Sequence, residues 1–366
     1  MVQCNYKLLK GDARMMKKII SLIALTIMIP FQVFAANITT NCNNVPVQES
    51  NTSPRVIDTL ENGTTIEKLG ASGEFYKVRY NGVEGWLNRA YTVEGEAEKR
   101  AEGLEIHFID PNSRVDAIYI KAGDKSMFID GGFHKDATAE ISYLRKLGVT
   151  KIDYYLGTHS HSNHVGAAGP IISAFGIKTV YYGRQSYGNS NSTLYMMNAK
   201  ASDYEKKAIA ACNKIVLNVG DVIDMNGLKI TCVGPIKTVT VKPSDTRENT
   251  NSLILRMEYG KRTFLFAGDT SASQLKAANN NNPGCIDVEF YKNSHHNSSL
   301  NTAVYNLISP RYVFFTTQSS YLPKSSYLKT IANSGAKYYI VTTNRDRNVL
   351  VKTDGENIEV KAKYNL

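Results

Sequence analysis

Cysteine is scarce in this sequence, with five residues among 366. No two of them form a Cys-x-x-Cys pair, and their spacing matches no zinc-ribbon motif. A metal module built on cysteine pairs is therefore excluded. Cys212 and Cys232 flank segments that we expect in the core, so we predict buried free thiols at both positions.

A hydrophobic run long enough to span a bilayer is also missing, since a spanning helix takes about 20 apolar residues. The apolar run over residues 19–29 is shorter, follows Lys17 and Lys18, and precedes small residues that end at Ala35. This order is typical of a secretory signal peptide, so we predict one over residues 1–35. A retained membrane anchor is the alternative. We expect a mature protein that is secreted or cell-wall associated and has no transmembrane helix.

The first residues of the chain fit no part of a signal peptide. We therefore expect translation to begin at Met15 or Met16.

Acidic residues are outnumbered, with 33 Asp and Glu against 43 Lys and Arg and a formal charge of +10. Residues 1–35 hold five basic residues and one acidic residue, so removing that +4 leaves +6 for the mature chain. This excess suits an anionic partner such as nucleic acid or a cell-wall polymer. It is equally typical of an ordinary solvated surface.

Histidine is rare but concentrated, because five of the seven histidines fall in two clusters. The first cluster comprises His159, His161 and His164, and the second His295 and His296, with Asp269 between the two in sequence. Neutral imidazole is a good ligand for zinc and similar ions. Histidines from two turns and a carboxylate from a third predict a site for one or two metal ions.

The N-terminal part of the chain has the pattern of a small β-barrel. Residues 37–53 are rich in Asn, Thr and Ser and predict a loose lead-in, whereas residues 54–93 alternate apolar and polar positions in short runs. Asn81-Gly82 between two such runs predicts a hairpin with a type I′ turn. We expect a small barrel here.

The charged stretch over residues 94–103 predicts a linker. From residue 104 to residue 366, strand groups alternate with helical segments. This pattern suits two sheets sandwiched between helices, an α+β domain.

Residues 37–93 resemble a bacterial SH3-like domain. The resemblance depends on Tyr76-Lys77-Val78, the turn that follows, and Gly85-Trp86-Leu87. It implies binding of cell-wall peptide or polymer. Trp86 is either a ligand contact or a core residue.

Residues 104–366 carry six motifs that appear in the order found in one family. They are Ile106-His107-Phe108-Ile109-Asp110 with Asp116-Ala117, Phe128-Ile129-Asp130-Gly131-Gly132, Thr158 to Gly166, Asn251 to Arg256, Ala267-Gly268-Asp269, and Lys292 with His295-His296 and Ser298. The set resembles the metallo-β-lactamase-fold hydrolases, and among them the soluble domain of the competence protein ComEC. The resemblance implies an αββα metallo-β-lactamase sandwich behind the small N-terminal all-β SH3-like barrel.

The resemblance also implies roles for individual residues. The implied metal ligands are His159, His161, Asn163, His164, Asp269 and His295, and they would hold one or two Zn or Mn ions. Asp269 would bridge the ions, and Asp269 and His164 are the implied catalytic residues. Asp130, His296 and Lys292 would orient ligands or contact substrate.

Two departures from the family pattern affect the predicted site. Asn163 stands where the pattern His-x-His-x-Asp-His has a carboxylate, and no histidine lies between residues 165 and 294. Cys232, Asp245 and Glu248 are the residues available in place of a further histidine. We therefore expect a single or labile ion as readily as two.

The resemblance implies hydrolysis by a metal-activated water, because a bound ion lowers the pKa of water from about 16 towards 7. Phosphodiester substrates, including DNA, are the implied class. The alternative is a protein that kept the fold, lost the ions and binds cell-wall or other polymer without catalysis.

Overall fold

The computed structural model describes residues 37–40, 45–60, 64–94, 103–187 and 190–364. The chain divides into two compact units, Met1–Lys99 and Arg100–Leu366. The predicted signal peptide and nearly all of the predicted linker lie outside the described residues.

The N-terminal unit is an antiparallel sheet of short strands in the order β3-β2-β6-β5-β4-β1-β7. The strands are β1 (Asn37–Thr40), β2 (Val45–Ser50), β3 (Ser53–Leu60), β4 (Thr65–Ser72), β5 (Phe75–Tyr80), β6 (Val83–Asn88) and β7 (Thr92–Glu94). The segment 37–53 therefore holds two strands where the sequence predicted a loose lead-in. Val45 and Val47 alternate into the core, which makes β2 part of the sheet despite the polar residues around it.

The predicted hairpin joins β5 to β6. Asn81 and Gly82 have φ values of 48° and 80°, the left-handed conformation that a type I′ turn requires. Leu87 lies in the core of the unit, whereas Trp86 beside it is half-buried. The described core consists of Ile38, Val45, Val47, Leu60, Ile66, Tyr76, Val78 and Leu87.

The C-terminal unit contains two large sheets. The first has the order β15-β12-β11-β10-β9-β8-β23-β24. Its strands are β8 (Leu104–Phe108), β9 (Ala117–Ala122), β10 (Lys125–Asp130), β11 (Tyr154–Gly157), β12 (Thr179–Gly183), β15 (Asn213–Leu217), β23 (Val349–Thr353) and β24 (Ile358–Lys361). A separate two-stranded ribbon joins β13 (Ser186–Tyr187) and β14 (Ser190–Asn191).

The second sheet has the order β16-β17-β18-β19-β20-β21-β22. Its strands are β16 (Val222–Met225), β17 (Leu228–Gly234), β18 (Ile254–Tyr259), β19 (Arg262–Phe266), β20 (Phe290–Lys292), β21 (Tyr312–Thr316) and β22 (Lys337–Val341). The run β19-β20-β21-β22 is parallel, as is the run β10-β11-β12-β15 of the first sheet. Loops that leave the carboxyl ends of these strands carry most of the clustered polar residues.

The two sheets pack face to face. Phe108 of the first sheet stacks on Phe314 of the second, with ring centroids 4.4 Å apart, inside a core that draws residues from both. The outer face of each sheet is covered by helices, which gives four layers. The helices are α1 (Ala137–Lys146), α2 (Ser162–Val165), α3 (Ala168–Phe175), α4 (Ser192–Ala199), α5 (Asp203–Ala211), α6 (Ala272–Asn281), α7 (Thr302–Ile308) and α8 (Ser325–Asn333). The predicted αββα sandwich and the all-β unit before it are confirmed.

Within the described part of the chain, no helix combines the length and the apolar character that crossing a membrane requires. Cys212, Cys232 and Cys285 are buried free thiols, as predicted for the first two.

Candidate metal centre

The first histidine cluster occupies the turn that follows β11. His159 and His164 are completely buried, His161 is half-buried, and the ring of His159 lies 4.2 Å from that of His164 and 4.7 Å from that of His161. His164 comes from α2, which begins within the same turn. One tight turn therefore brings the three imidazoles together.

Asp269 lies opposite this turn, on the loop after β19. Its carboxylate is buried, and Oδ1 lies 3.1 Å from His164 Nε2 and 3.5 Å from His296 Nε2. His295 Nε2 lies 3.7 Å from Oδ2. Gly268 has a φ of 49°, and a Cβ there would come within 2.9 Å of Thr158 Oγ1. Glycine thus allows the two loops to approach closely enough for these contacts.

The potential ligand atoms form two groups that share Asp269. His159, His161 and Asp269 make the first group, and Asp116, His164, Asp269 and His296 make the second. Within each group one ligand atom per residue lies within 4.8 Å of the others. Imidazole and carboxylate together form a donor set that suits zinc, manganese and iron.

Each histidine of these groups is fixed by a hydrogen bond to one ring nitrogen. His164 donates from Nδ1 to Asp130 Oδ2 over 2.7 Å, and His159 Nδ1 lies 3.1 Å from the Thr158 hydroxyl, which itself donates to Asp130. His161 donates from Nε2 to the carbonyl of Asp245 over 2.8 Å. In His159, His161 and His164 the opposite ring nitrogen faces the other members of its ligand group.

His296 is held in the same way, since its Nδ1 donates to the carbonyl of Thr316 over 3.0 Å. The Thr316 hydroxyl donates to Asp116, whose carboxylate also forms a buried ion pair with Lys292. Lys292 thus compensates the charge of a carboxylate that belongs to the second group.

Several buried atoms at the centre lack a hydrogen-bond partner among the described residues. They are His159 Nε2, His164 Nε2 and Asp269 Oδ1, of which the last two face each other as an ion pair over 3.1 Å. Buried polar atoms are rarely left without a partner because the loss of hydration is costly. These three belong to the two ligand groups, so the residues present fit a bound cation.

Burial and neighbouring charges shift the pKa values of the histidines at the centre. Burial holds the pKa of His159 well below its usual value, and burial also lowers the pKa of His161. Burial acts in the same direction on His164, but the carboxylates of Asp269 and Asp130 outweigh it and raise its pKa to about 10. In the metal-free protein His164 therefore carries a proton that a cation would displace on binding.

Neighbouring charges also shift the pKa values of the buried carboxylates. Burial raises the pKa of Asp269, but the charges of His164 and His296 outweigh burial and hold that pKa well below its usual value. For Asp116, burial is likewise outweighed by Lys292 and His296, and the pKa is lowered. Both carboxylates are thus ionised at neutral pH.

The structure brings most of the predicted site residues together. Asp130 contacts His164, as a residue that orients an imidazole would, and Lys292 contacts Asp116 rather than open solvent. Of the paired histidines, His296 lies inside the second group, whereas the side chain of His295 is 40% exposed at its edge. The assignment of His295 as the ligand of that pair remains a prediction, and the distances favour His296.

Asn163 points its amide at the second group without joining it as an oxygen donor. Its Nδ2 donates to His296 Nε2 over 3.0 Å and to the carbonyl of Arg114 over 3.4 Å.

The residues considered in place of a further histidine lie outside both groups. The Cys232 side chain is in the core between the sheets, and the Asp245 carboxylate pairs with Arg247. Glu248 is buried, and burial raises the pKa of its carboxyl group.

Asp116 is the functional candidate that the sequence analysis missed. It belongs to the second group and supplies a second carboxylate beside Asp269. The available signal was a carboxylate immediately before the fully apolar start of β9, where an ionised side chain needs a buried partner.

Comparison with known proteins places this geometry in context. Residues 48–93 match the Bacterial SH3 domain family, and residues 111–230 match the Metallo-beta-lactamase superfamily. The chain combines a bacterial SH3 domain with a metallo-β-lactamase-fold domain. No curated protein matches it. The likeness to the soluble domain of ComEC remains a prediction.

Solved structures match this chain at low identity. A mutant of the HARLDQ-motif metallo-β-lactamase from Cronobacter sakazakii is 12% identical, with 45% of this chain and 60% of that chain covered and a TM-score of 0.32. The diiron β-hydroxylase CmlA from Streptomyces venezuelae is 8% identical over 72% of this chain and 56% of that chain, with a TM-score of 0.42. A subclass B3 metallo-β-lactamase from a soil metagenome library is 14% identical over 53% and 78%, with a TM-score of 0.36. The chain thus spans less than two thirds of the length of the first two.

Proposed function

We propose that the C-terminal unit is a metal-dependent hydrolase that acts on phosphodiesters through a two-ion centre. The observation that carries this proposal is the pair of ligand groups that share Asp269, in which the buried His159 Nε2 has no hydrogen-bond partner among the described residues. A carboxylate shared by two groups of imidazoles would allow two cations to bind side by side. The cations are zinc or manganese.

In this proposal His159, His161 and Asp269 would hold the first ion, and Asp116, His164, Asp269 and His296 would hold the second. When bound, the ions supply Lewis acidity and lower the pKa of a water molecule. The side chains around them fix the geometry. Asp130 and the Asp245 carbonyl set the orientation of the imidazoles, and Lys292 balances Asp116.

Charge supports a phosphodiester as the substrate class. The chain has a formal charge of +10, and +6 remains after the predicted signal peptide is removed. Basic surfaces attract anionic polymers and raise their local concentration. DNA and other phosphodiester polymers are therefore the substrates to test first.

We further propose that the protein is exported and held at the cell wall. The predicted signal peptide supports export, and bacterial SH3 domains commonly bind cell-wall material, which supports wall attachment of residues 37–93. Cell-wall peptide or polymer is the proposed partner.

A non-catalytic polymer-binding role is the second candidate, and one contact favours it. Asn163 donates a hydrogen bond to His296 Nε2, the nitrogen that the second ion would need. An amide at this position also brings no negative charge. A protein that kept the fold without its ions would have this arrangement.

Hydrolysis of bis(4-nitrophenyl) phosphate by the purified chain separates the two candidates. We expect activity with added Zn or Mn, its loss in excess EDTA, and its recovery when metal is restored. Asp269→Asn should abolish it, whereas Arg145→Gln, an exposed change on α1, should leave it intact. Activity that persists in EDTA and in the Asp269→Asn variant would contradict the proposal. Complete inactivity of a protein that binds no Zn or Mn from excess ion would favour the polymer-binding role.

A further inference from the structure

Arg114 stands at the edge of the metal centre with its charge uncompensated. Its carbonyl accepts the hydrogen bond from Asn163, and Asp116 of the second ligand group lies two residues further along. Within the described parts of the chain, the guanidinium forms no ion pair, and its buried Nε atom has no hydrogen-bond partner. This differs from Lys292, whose charge is matched by Asp116. A half-buried arginine without an anion is a ready anion-binding group.

An exposed aromatic ring lies beside this arginine. The Arg114 guanidinium is 5.7 Å from the centre of the Tyr321 ring, and Tyr321 is 50% exposed. Thr317 donates to the Tyr321 carbonyl over 2.7 Å, which fixes the loop after β21. Thr316, the last residue of β21, contacts Asp116 and His296. Arg114 and Tyr321 are thus carried by two loops that are tied together at the metal centre.

His295 marks the exposed edge of this centre. His295 Nε2 lies 3.7 Å from Asp269, and its side chain is 40% exposed. Arg114 is linked to the second ligand group through Asn163, whose amide hydrogen-bonds both the Arg114 carbonyl and His296.

We propose that Arg114 and Tyr321 form a recognition site for a nucleotide phosphodiester at the mouth of the metal centre. A planar guanidinium donates two parallel hydrogen bonds to phosphate oxygens, and an exposed tyrosine ring stacks on a base. The pair therefore selects a substrate in which a phosphate and a planar ring lie side by side. This inference rests on the proposed function for its substrate class and assigns the residues that recognise it.

Binding in EDTA tests the site without any hydrolysis. The probes are a fluorescein-labelled hexathymidylate and a labelled glycerol phosphate hexamer, with fluorescence anisotropy as the readout on the full chain. We expect Arg114→Gln to weaken hexathymidylate binding by roughly ten-fold, because the substitution removes one charge-assisted hydrogen-bonding group. It should also reduce the slope of the logarithm of the binding constant against the logarithm of the salt concentration by about 0.7. This is the change expected when one phosphate contact to a single strand is lost. Arg145→Gln is the matched control for general charge.

The ring is tested separately. Tyr321→Leu should weaken hexathymidylate binding and leave the glycerol phosphate hexamer unaffected, whereas Tyr321→Phe should bind both probes as the wild type does. Thermal unfolding of each variant checks that the fold is retained. Equal affinity of wild type and Arg114→Gln, or an unchanged salt slope, would overturn the anion site. If Tyr321→Leu binds both polymers with the affinity of the wild type, the assignment to nucleic acid would be overturned.

The outcomes also separate this inference from the hydrolase proposal. A wild-type protein that binds hexathymidylate through Arg114 but hydrolyses no phosphodiester with metal present would leave the recognition site standing and refute the enzyme. In the opposite outcome, the wild type and Arg114→Gln hydrolyse bis(4-nitrophenyl) phosphate equally well and bind hexathymidylate with equal affinity. That result would support the enzyme and refute the recognition site.

Discussion

Asp269 is the residue on which the centre depends, because it belongs to both groups of ligand atoms. Its carboxylate contacts His164, His295 and His296, which come from two different turns. Asp116 shares the second group, but its charge is already matched by Lys292. Loss of Asp269 therefore removes a carboxylate from both groups. Loss of Asp116 removes one from the second group alone and leaves a buried lysine without a partner.

The paired histidines are expected to differ in their effect on metal binding. His296 is buried within the second group, whereas His295 is partly exposed at the edge. We predict that His296→Ala lowers the bound metal per chain by about one equivalent and that His295→Ala leaves most of it in place. Metal analysis after gel filtration measures both. A larger loss in His295→Ala would instead assign the ligand role to His295.

At the scale of the elements, the centre is built by turns at the carboxyl ends of parallel strands. β10 ends in Asp130, β11 leads into the first histidine cluster, and β20 leads into the second. Asp130 and the two glycines after it all have positive φ, and a Cβ on Gly132 would lie 2.9 Å from Val115. The close packing of this turn against the loop of Arg114 and Asp116 explains why glycine occupies the position.

Sequence patterns predicted the strands and the histidine turn well, because both depend on local order. The buried strand β11 and the three histidines after it are adjacent in the chain. Asp116 escaped prediction because its partners, Lys292 and Thr316, are about 180 and 200 residues away. α4 was also missed. Its start is set by Asn191, whose side chain accepts from Thr193 N and Leu194 N, rather than by an apolar stripe.

The helix α1 provides a prediction about pH. Glu140 is completely buried, both carboxylate oxygens lack a partner among the described residues, and burial raises its pKa well above the usual value. The folded state thus holds a proton that the unfolded state releases, so this group costs stability as pH rises above the ordinary glutamate range. We predict that Glu140→Met stabilises the protein on the order of 1–3 kcal/mol at pH 8 and by less at pH 4.

Glu105 on β8 is the matched control with the opposite sign. Its hydrogen bond to His107 and its ion pair with Lys352 lower its pKa to about 2. Its contribution is present above the ordinary glutamate pKa and is lost as pH falls towards 2. Glu105→Gln should therefore destabilise at pH 7 and have a smaller effect at pH 3. Thermal unfolding across this range measures both variants, and a Glu140→Met gain that is independent of pH would contradict the account.

At the scale of the whole molecule, the two units have separate described cores. The N-terminal core draws on residues between 38 and 87, and the three C-terminal cores on residues from 104 onward. We predict that deleting residues 37–93 abolishes binding to purified cell walls while the remaining protein keeps its metal content and its unfolding transition. Sedimentation with cell walls is the measurement. Equal wall binding by the full and shortened proteins would remove the targeting role.

The central claim is that the C-terminal unit holds cations between its two histidine turns. The most direct measurement is the number of Zn or Mn ions bound by the purified protein after equilibration and gel filtration, with Asp269→Asn and Asn163→Asp beside it. We predict one to two ions per chain for the wild type, none for Asp269→Asn, and a higher occupancy for Asn163→Asp because it adds a carboxylate next to His296. A wild type that stays metal-free in excess ion, together with an Asn163→Asp variant that also binds none, would contradict it.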